Sequence, residues 1–505
     1  MASPNRLAIT ACVGLATIMQ ALDTTIANVS LPYIQGSVAA NQEEIEWVLT
    51  SYVVAAAIMT PPTGFLAGRF GIKRLFLTSI AGFTIASMLC GMATSLYELV
   101  LFRLLQGAFG AGLVPLSQSV LLSTYPKERQ GSAMAYWGMA IMVGPIIGPV
   151  LGGWLTYNYS WRWDFYINLP IGVMAFVGMI WFLPETERSD AKLDWFGFAA
   201  LSIAIGALQL LLDRGEELDW FSSREILLEA VVAGSAFWLF LVQTFTARRP
   251  FVNPRLFHDR NFTAGMIFVF IIGVSFFAPL ALLPLYLQDL MGYPILTAGL
   301  VMAPRGVFTL LAMMVVGQLI GRLDTRLLLG IGLALTAWAM WDMTRWTLDI
   351  STWTVAVNGI IQGAGMGFLF VPLSTTTLAT LAPEHRTEGA GLYNLSRNLG
   401  SSIGISIVSA LLVSNTQVNH ADISSYVTST NRLFENPTIA HFLSPFTAAG
   451  RAALDMLVTH QAQIIAYIDD FKLLLILTLA GFPLLFLFRR AGPPAGPDAG
   501  MHGAA

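Results

Sequence analysis

The apolar positions of this chain fall in long, nearly unbroken runs, separated by short polar breaks. Windows of about 20 apolar residues, the length that crosses a hydrocarbon core of about 30 Å, predict helices over 7–29, 47–67, 75–94, 97–122, 133–155, 165–183, 195–213, 225–246, 262–288, 297–320, 327–346, 353–380, 390–414 and 471–489. Fourteen spans are therefore expected. Basic residues set their direction: with the N-terminus inside, 17 Lys and Arg fall on the cytoplasmic side and 7 on the other, leaving Arg103, Arg305 and Arg397 within spans. Both termini are expected in the cytoplasm.

Two stretches are less regular. Residues 415–470 read as a long polar loop on the far side, carrying His420, His441 and His460. The end of that loop is amphipathic, with Leu454, Leu457, Val458, Gln461, Ile464, Ile465 and Ile468 at helical spacing. It reads as a helix that projects from the membrane or lies on it. The tail 491–505, rich in Gly, Pro and Ala, is expected to be disordered and cytoplasmic.

Composition agrees with lipid as the main solvent. Of 505 residues, 55% are hydrophobic and 11% charged, against a globular norm of about 25% charged. The net charge of −3 argues against a surface for nucleic acid. Cys12 and Cys90 both lie inside apolar runs and imply no disulfide framework. The first apolar stretch is too long for the core of a signal peptide and reads as a retained span.

Three motifs occur twice, in the same order. Gly64-Phe65-Leu66-Ala67-Gly68-Arg69 recurs as Gly317-Gln318-Leu319-Ile320-Gly321-Arg322, an offset of 253 residues. Gln106-Gly107-Ala108 recurs as Gln362-Gly363-Ala364 at 256, and Pro126-Lys127-Glu128-Arg129 as Pro383-Glu384-His385-Arg386 at 257. The first motif follows span 2 and returns after span 10, so both copies face the same side and the repeats are parallel. The expected organisation is a six-helix half over 1–190, an inserted pair over 191–250 and a second six-helix half over 251–490 that includes loop 415–470. Parallel halves related by an axis along the membrane normal are the arrangement of major facilitator transporters.

The most specific string is Gly144-Pro145-Ile146-Ile147-Gly148-Pro149-Val150-Leu151-Gly152-Gly153 in span 5, preceded by Gly138. Small residues at four-residue spacing let helix backbones approach closely, and prolines bend the helix. The string resembles the antiporter motif of drug:proton antiporters in the major facilitator superfamily. Leu22-Asp23-Thr24-Thr25-Ile26-Ala27-Asn28-Val29 with Leu31-Pro32 resembles the first-span signature of the fourteen-helix branch, the EmrB/QacA type. Trp161-Arg162-Trp163 with Phe165-Tyr166-Ile167-Asn168-Leu169-Pro170 resembles the same branch entering span 6, and Leu212-Asp213-Arg214-Gly215 with Leu218-Asp219-Trp220-Phe221 is similar to its EmrB-like subgroup.

The resemblance covers essentially the whole chain. It implies an all-α polytopic membrane protein with the major facilitator fold, 14 transmembrane helices arranged 6+2+6 and two pseudo-symmetric halves. The implied activity is proton-coupled multidrug efflux of amphipathic compounds across a bacterial inner membrane by alternating access, with the proton gradient as energy source and no cofactor or metal. Implied partners are the bilayer, lipophilic substrates and, in a Gram-negative cell, a periplasmic adaptor of the EmrA type with a TolC-type outer-membrane channel. The region 415–470 is the candidate for touching that adaptor.

One motif departs from the family pattern. After span 2 the superfamily typically reads G-x-L-A-D-R-x-G-x-K-R; here Gly64, Arg69, Gly71, Lys73 and Arg74 match, but Gly68 stands at the acidic position. The cytoplasmic gate implied by the resemblance is thus left without its acid.

Charges within a span are expensive and so point to function. Asp23, about 24 Å along span 1 at 1.5 Å per residue, and Arg103 in the descending span 4 come to similar depth and are expected to couple. Asp23 would exchange a proton while Arg103 favours its ionised form; the alternative is a permanent ion pair locking the two spans. Arg305 in span 10 and Asp342 in span 11 are candidates for a second pair. Gln20, Gln118, Gln362, Asn394 and Arg397 are candidate cavity residues. All six histidines fall outside the spans and no nucleotide-binding phosphate loop is present, which argues against an intramembrane enzyme. Transport of another solute class, including uptake, remains compatible with the residues alone.

Overall fold

The computed structural model describes residues 5–186, 194–248, 250–427, 443–444 and 446–488, without the side chains of Gln42, Glu43, Ile295 and Leu296. Its helices are α1 (Arg6–Val38), α2 (Gln42–Met59), α3 (Thr63–Phe70), α4 (Ile72–Met92), α5 (Leu96–Gly110), α6 (Leu113–Thr124), α7 (Gln130–Asn158), α8 (Trp163–Tyr166) and α9 (Asn168–Phe182). The chain continues through α10 (Trp195–Arg214), α11 (Arg224–Thr246), α12 (Arg260–Leu285), α13 (Ile295–Leu319), α14 (Thr325–Met343), α15 (Thr352–Ala379), α16 (Arg386–Tyr426) and α17 (Ala448–Ala480). Among the described residues, twelve helices are long and apolar enough to cross a membrane, or thirteen when α2 and α3, bent by 58° at Pro61-Pro62, are taken as one span. The expected span over 327–346 corresponds to α14, a 19-residue helix. It falls short of the same measure because Arg326 and Asp342 sit near its ends.

Local sequence explains the breaks. Asn41 caps α2 with a reciprocal bond to Glu44, and Asp259 and Ser351 cap α12 and α15. Gly71, at φ +87°, ends α3 and starts α4, a conformation only glycine adopts without strain. Pro279 and Pro284 lie inside α12, which passes into a π-helical turn at Tyr286–Leu290.

Helix packing repeats along the chain. α1 packs on α7 and α9, α2 on α5, and α4 on α9; in the same relation α12 packs on α16 and α17, α13 on α15, and α14 on α17. Contacts between the two sets are also reciprocal, α7 with α13 and α3 with α16. Helices α10 and α11 pack on each other, and α10 also on α2 and α16. An apolar groove of about 930 Å³, lined by residues such as Leu201, Ile205, Leu208, Phe240 and Leu395, lies between this pair and α16 beside that contact.

Among the described residues, most of the loop expected over 415–470 is helical, and the helix expected from the apolar spacing over 454–468 lies within α17. α16 runs through to Tyr426, 41 residues in all, and α17 begins at Ala448. The two helices pack together, and His420 Nε2 lies 3.0 Å from Asp455 Oδ1 across them. Polar side chains misled the reading here, because a helix that leaves the bilayer no longer needs an apolar surface all round. His441 and the tail 491–505 lie outside the described residues.

Candidate functional site

Five helices meet around Asp23 on α1. Its carboxylate accepts from Arg103 Nη1 at 2.7 Å, from Gln106 Nε2 at 2.7 Å and from Asn168 Nδ2 at 3.0 Å. Arg103 and Gln106 are one turn apart on α5, so both face α1, and Arg103 Nη1 also donates to Gln106 Oε1 at 2.9 Å. Arg103 Nε donates to the Val48 carbonyl on α2 at 3.0 Å, and its guanidinium stacks 4.3 Å over the Tyr52 ring. Asn168, at the start of α9, donates in turn to Ser87 on α4 at 2.9 Å. Asp23 is 2% exposed and Arg103 1%. The pair is thus fully desolvated, with every carboxylate oxygen matched by a donor.

The string in α7 seats α1 beside it. A methyl group at Gly144 would overlap the Ala21 carbonyl oxygen, and one at Gly148 would overlap Thr25 Oγ1. Ala21 and Thr25 flank Asp23, and Thr25 Oγ1 donates to the Gly144 carbonyl at 3.1 Å. Gly152 continues the seam against Ile26, whereas Gly153 would meet only Val29, at an ordinary 3.8 Å. Pro145 and Pro149 stand within the same helix. Gly138 faces the other set of helices, against Met313 and Phe370.

The prolines mark that string in the first copy alone; the packing carries its seam into both. A methyl at Gly400 would overlap the Phe270 carbonyl oxygen, and one at Gly404 would lie 2.7 Å from Val274 Cα. These glycines follow Gly144 and Gly148 by 256 residues, without the prolines. The matched seams put Ile272 where the first copy has Asp23.

At the end assigned to the cytoplasm, the duplicated glycines cross between sets. A methyl at Gly64 would lie 2.5 Å from Glu388 Cα, and one at Gly317 would lie 2.6 Å from Ala135 Cβ. Ser119 and Thr387 hydroxyls lie 2.6 Å apart, Arg386 Nη1 donates to the Leu122 carbonyl at 3.0 Å, and Ser132 Oγ donates to the Gly317 carbonyl at 3.1 Å. Nearby, Trp137 stacks on Phe370 with centroids 5.5 Å apart. This end is closed. Lys73 Nζ donates to the Ile180 carbonyl at 2.7 Å, within the first set, while Arg69 and Arg74 are exposed and Gly68 is half-buried.

The remaining candidates separate. Gln20 Nε2 donates to Tyr52 Oη at 3.3 Å, and Asn394 Nδ2 to Gln118 Oε1 at 2.7 Å between the sets. Gln362 is buried, with Nε2 unpartnered. The expected Arg305–Asp342 pair does not form. Asp342 lies at the end of α14 and accepts from Asn358 Nδ2 at 2.9 Å and Trp346 Nε1 at 3.2 Å, whereas Arg305 lies ten residues, about 15 Å, inside α13. Arg397 stacks 5.8 Å from the Phe370 ring centroid and donates to Asn398 Oδ1 at 3.4 Å.

Sequence reasoning missed Gln106 and Asn168 as partners of Asp23. Gln106 was visible as a repeated residue one turn from Arg103, and Asn168 within the span 6 signature. It also missed Asp164, 2% exposed, which accepts from Ser30 Oγ and from Thr156 Oγ1 at 2.9 Å and so ties α8 to α1 and α7.

Reciprocal helix sets around a buried acid, closed at one end, are the build of a multi-pass membrane transporter. The family model of the Major Facilitator Superfamily matches residues 13–412, and the chain belongs to that superfamily. Within it, the chain is 40% identical over 83% of its length to the multidrug export protein EmrB of Escherichia coli K12, covering 82% of that protein. It is 36% identical to the fatty acid resistance protein FarB of Neisseria gonorrhoeae, over 98% of this chain and 97% of that one. Solved structures with the same fold include the human organic anion transporter MFSD10, at TM-score 0.63 and 15% identity over 95% of this chain and 100% of that one. The proton:xylose symporter XylE matches at TM-score 0.57 and 14% identity, covering 93% and 96%.

Proposed function

We propose that this chain is a proton-coupled multidrug efflux antiporter of a bacterial inner membrane, with fourteen spans and both termini in the cytoplasm, exporting amphipathic compounds by rocking two six-helix halves. The observation that carries the coupling is the buried Asp23–Arg103 pair with its two amide donors. Protonating Asp23 removes the attraction that holds α1 to α5, so one proton changes the energy of a helix contact next to the α1–α7 seam. A carboxylate in that position can hand its proton to the side on which the cavity opens. The relatives named for multidrug export and fatty acid resistance support the export reading and an amphipathic cargo.

The same reading assigns the helical extension of α16 and α17 as the contact for a periplasmic adaptor of the EmrA type, which would pass substrate to a TolC-type channel. Coupling is tested in vesicles with an imposed proton gradient and a panel of lipophilic cations and uncouplers. Asp23→Asn should abolish gradient-driven movement while the purified protein still unfolds cooperatively. Undiminished coupled transport by this variant would remove Asp23 from the mechanism.

A further inference from the structure

The groove between the α10–α11 pair and α16 takes no part in the Asp23 cluster. Small residues make room for it, Ala204 on α10 and Ala230, Ala233 and Gly234 on α11. A methyl group at Gly234 would meet nothing within 4 Å, so the space beside it is open. On α11 the lining runs from Ala230 to Phe245, about 22 Å along the helix at 1.5 Å per residue. One leaflet of a hydrocarbon core of about 30 Å is shorter than that. The groove is therefore long enough for the acyl chain of a lipid.

Its chemistry changes from one end to the other. Along the spans the lining is hydrocarbon, and Thr244, which also borders it, donates its hydroxyl to the Phe240 carbonyl of its own helix at 2.8 Å. Such a surface within a bilayer is filled by hydrocarbon rather than by water. At the end assigned to the cytoplasm the lining finishes on Phe257 and His258, in the 3₁₀ turn Pro254–His258. Residues three apart eclipse in such a turn, so Arg255 shares a face with His258. Both are exposed, and among the described residues Arg255 has no ion-pair partner. His258 Nδ1 lies 3.4 Å from the Pro254 carbonyl oxygen, which leaves Nε2 for another partner. The acids around this turn are already engaged by backbone amides: Asp259 accepts from Phe262 at 3.0 Å, Glu388 from Asn253 at 2.9 Å and Asp194 from Phe251 at 3.3 Å.

We infer that the groove holds one anionic phospholipid of the leaflet at that end, with an acyl chain along α11 and the phosphate at Arg255 and His258. A guanidinium donates strongly to phosphate oxygens, and basic pockets beside spans select anionic headgroups. The lipid completes a contact that the protein makes only in part. Near the far end of α10, Gln209 Nε2 donates to Ser402 Oγ at 3.2 Å and Ser406 Oγ donates to the Leu212 carbonyl at 2.9 Å, both joining α10 to α16. Toward the near end the chain of the lipid fills the gap between the same helices. This assignment does not depend on which compound the protein exports.

Native mass spectrometry of the delipidated full-length protein, titrated with dioleoyl phosphatidylglycerol or with zwitterionic dioleoyl phosphatidylethanolamine, tests it. The wild type should take up one phosphatidylglycerol at about tenfold lower concentration than phosphatidylethanolamine, equivalent to about 1.4 kcal/mol. Arg255→Gln combined with His258→Gln should make the two lipids equal. Gly234→Phe, whose side chain starts in open space, should abolish the tight adduct, while Leu228→Phe, at an exposed position of α11 away from the lining, should keep it. Equal uptake of the two lipids by the wild type would overturn the site even if no variant could be purified. A tight adduct that survives Gly234→Phe would overturn its place in the groove. A wild-type dimer that Gly234→Phe dissociates would assign the groove to a second copy of the chain and overturn the lipid.

Discussion

At the scale of single residues, the Asp23 cluster is a closed set of matched donors and acceptors. Removing one member of a buried ion pair strands the other, at a cost of about 3–5 kcal/mol. Arg103→Leu should therefore lower stability by about that amount, and adding Asp23→Asn should recover much of it, a coupling measurable by a double-mutant cycle in thermal unfolding. Strict additivity would mean that the 2.7 Å contact carries no energy. The pair was legible in the sequence because each charge is conspicuous in an apolar run and their depths agree. Its amide partners were not, since Gln and Asn within a span carry no charge to betray which neighbour they face. The false pair, Arg305 with Asp342, fails for the same reason that the true one succeeds: depth along the helix, and Asp342 lies too near an end.

At the scale of helices, the antiporter string is a seam, and its glycines divide by what they touch. A side chain at Gly144 or Gly148 would strike the α1 backbone or Thr25, while one at Gly153 would meet ordinary van der Waals contact. Gly144→Val should displace α1 and abolish transport, whereas Gly153→Ala should transport within about twofold of wild type, as expected of a substitution with no named destabilising mechanism. Gly400→Val should be as damaging as Gly144→Val, although no proline marks that segment. Transport assays on the three variants at matched membrane levels decide whether the motif or the contact matters; a tolerated Gly400→Val would confine the seam to the first half. The sequence made the first seam visible through its prolines, and hid the second because glycines spaced by four are common in membrane helices. Helix ends outside the lipid were equally hidden, as the 41 residues of α16 show.

At the scale of the whole molecule, the duplicated motifs that announce two halves also form the contact between them. Gly64 meets the backbone at Glu388, and Gly317 meets Ala135, so each copy closes on the other half at the end assigned to the cytoplasm. No acid at position 68 is needed for that closure, because backbone approach and the Ser119–Thr387 and Arg386–Leu122 hydrogen bonds supply it. The consequence is a conformer shut at the end assigned to the cytoplasm. Gly64→Val, which would place side-chain carbons on the Glu388 main chain, should bias the protein toward the opposite state. Cysteines at Ser119 and Thr387 read the equilibrium directly, as these hydroxyls lie 2.6 Å apart and the native Cys12 and Cys90 are both buried. In Ser119→Cys/Thr387→Cys, oxidation should form a disulfide and stop transport, and reduction should restore it. Adding Gly64→Val should slow that cross-link by about tenfold, the change in population that about 1.4 kcal/mol of differential stability produces. Cross-linking that proceeds at the original rate in the triple variant would mean that the glycine contact does not hold the halves closed.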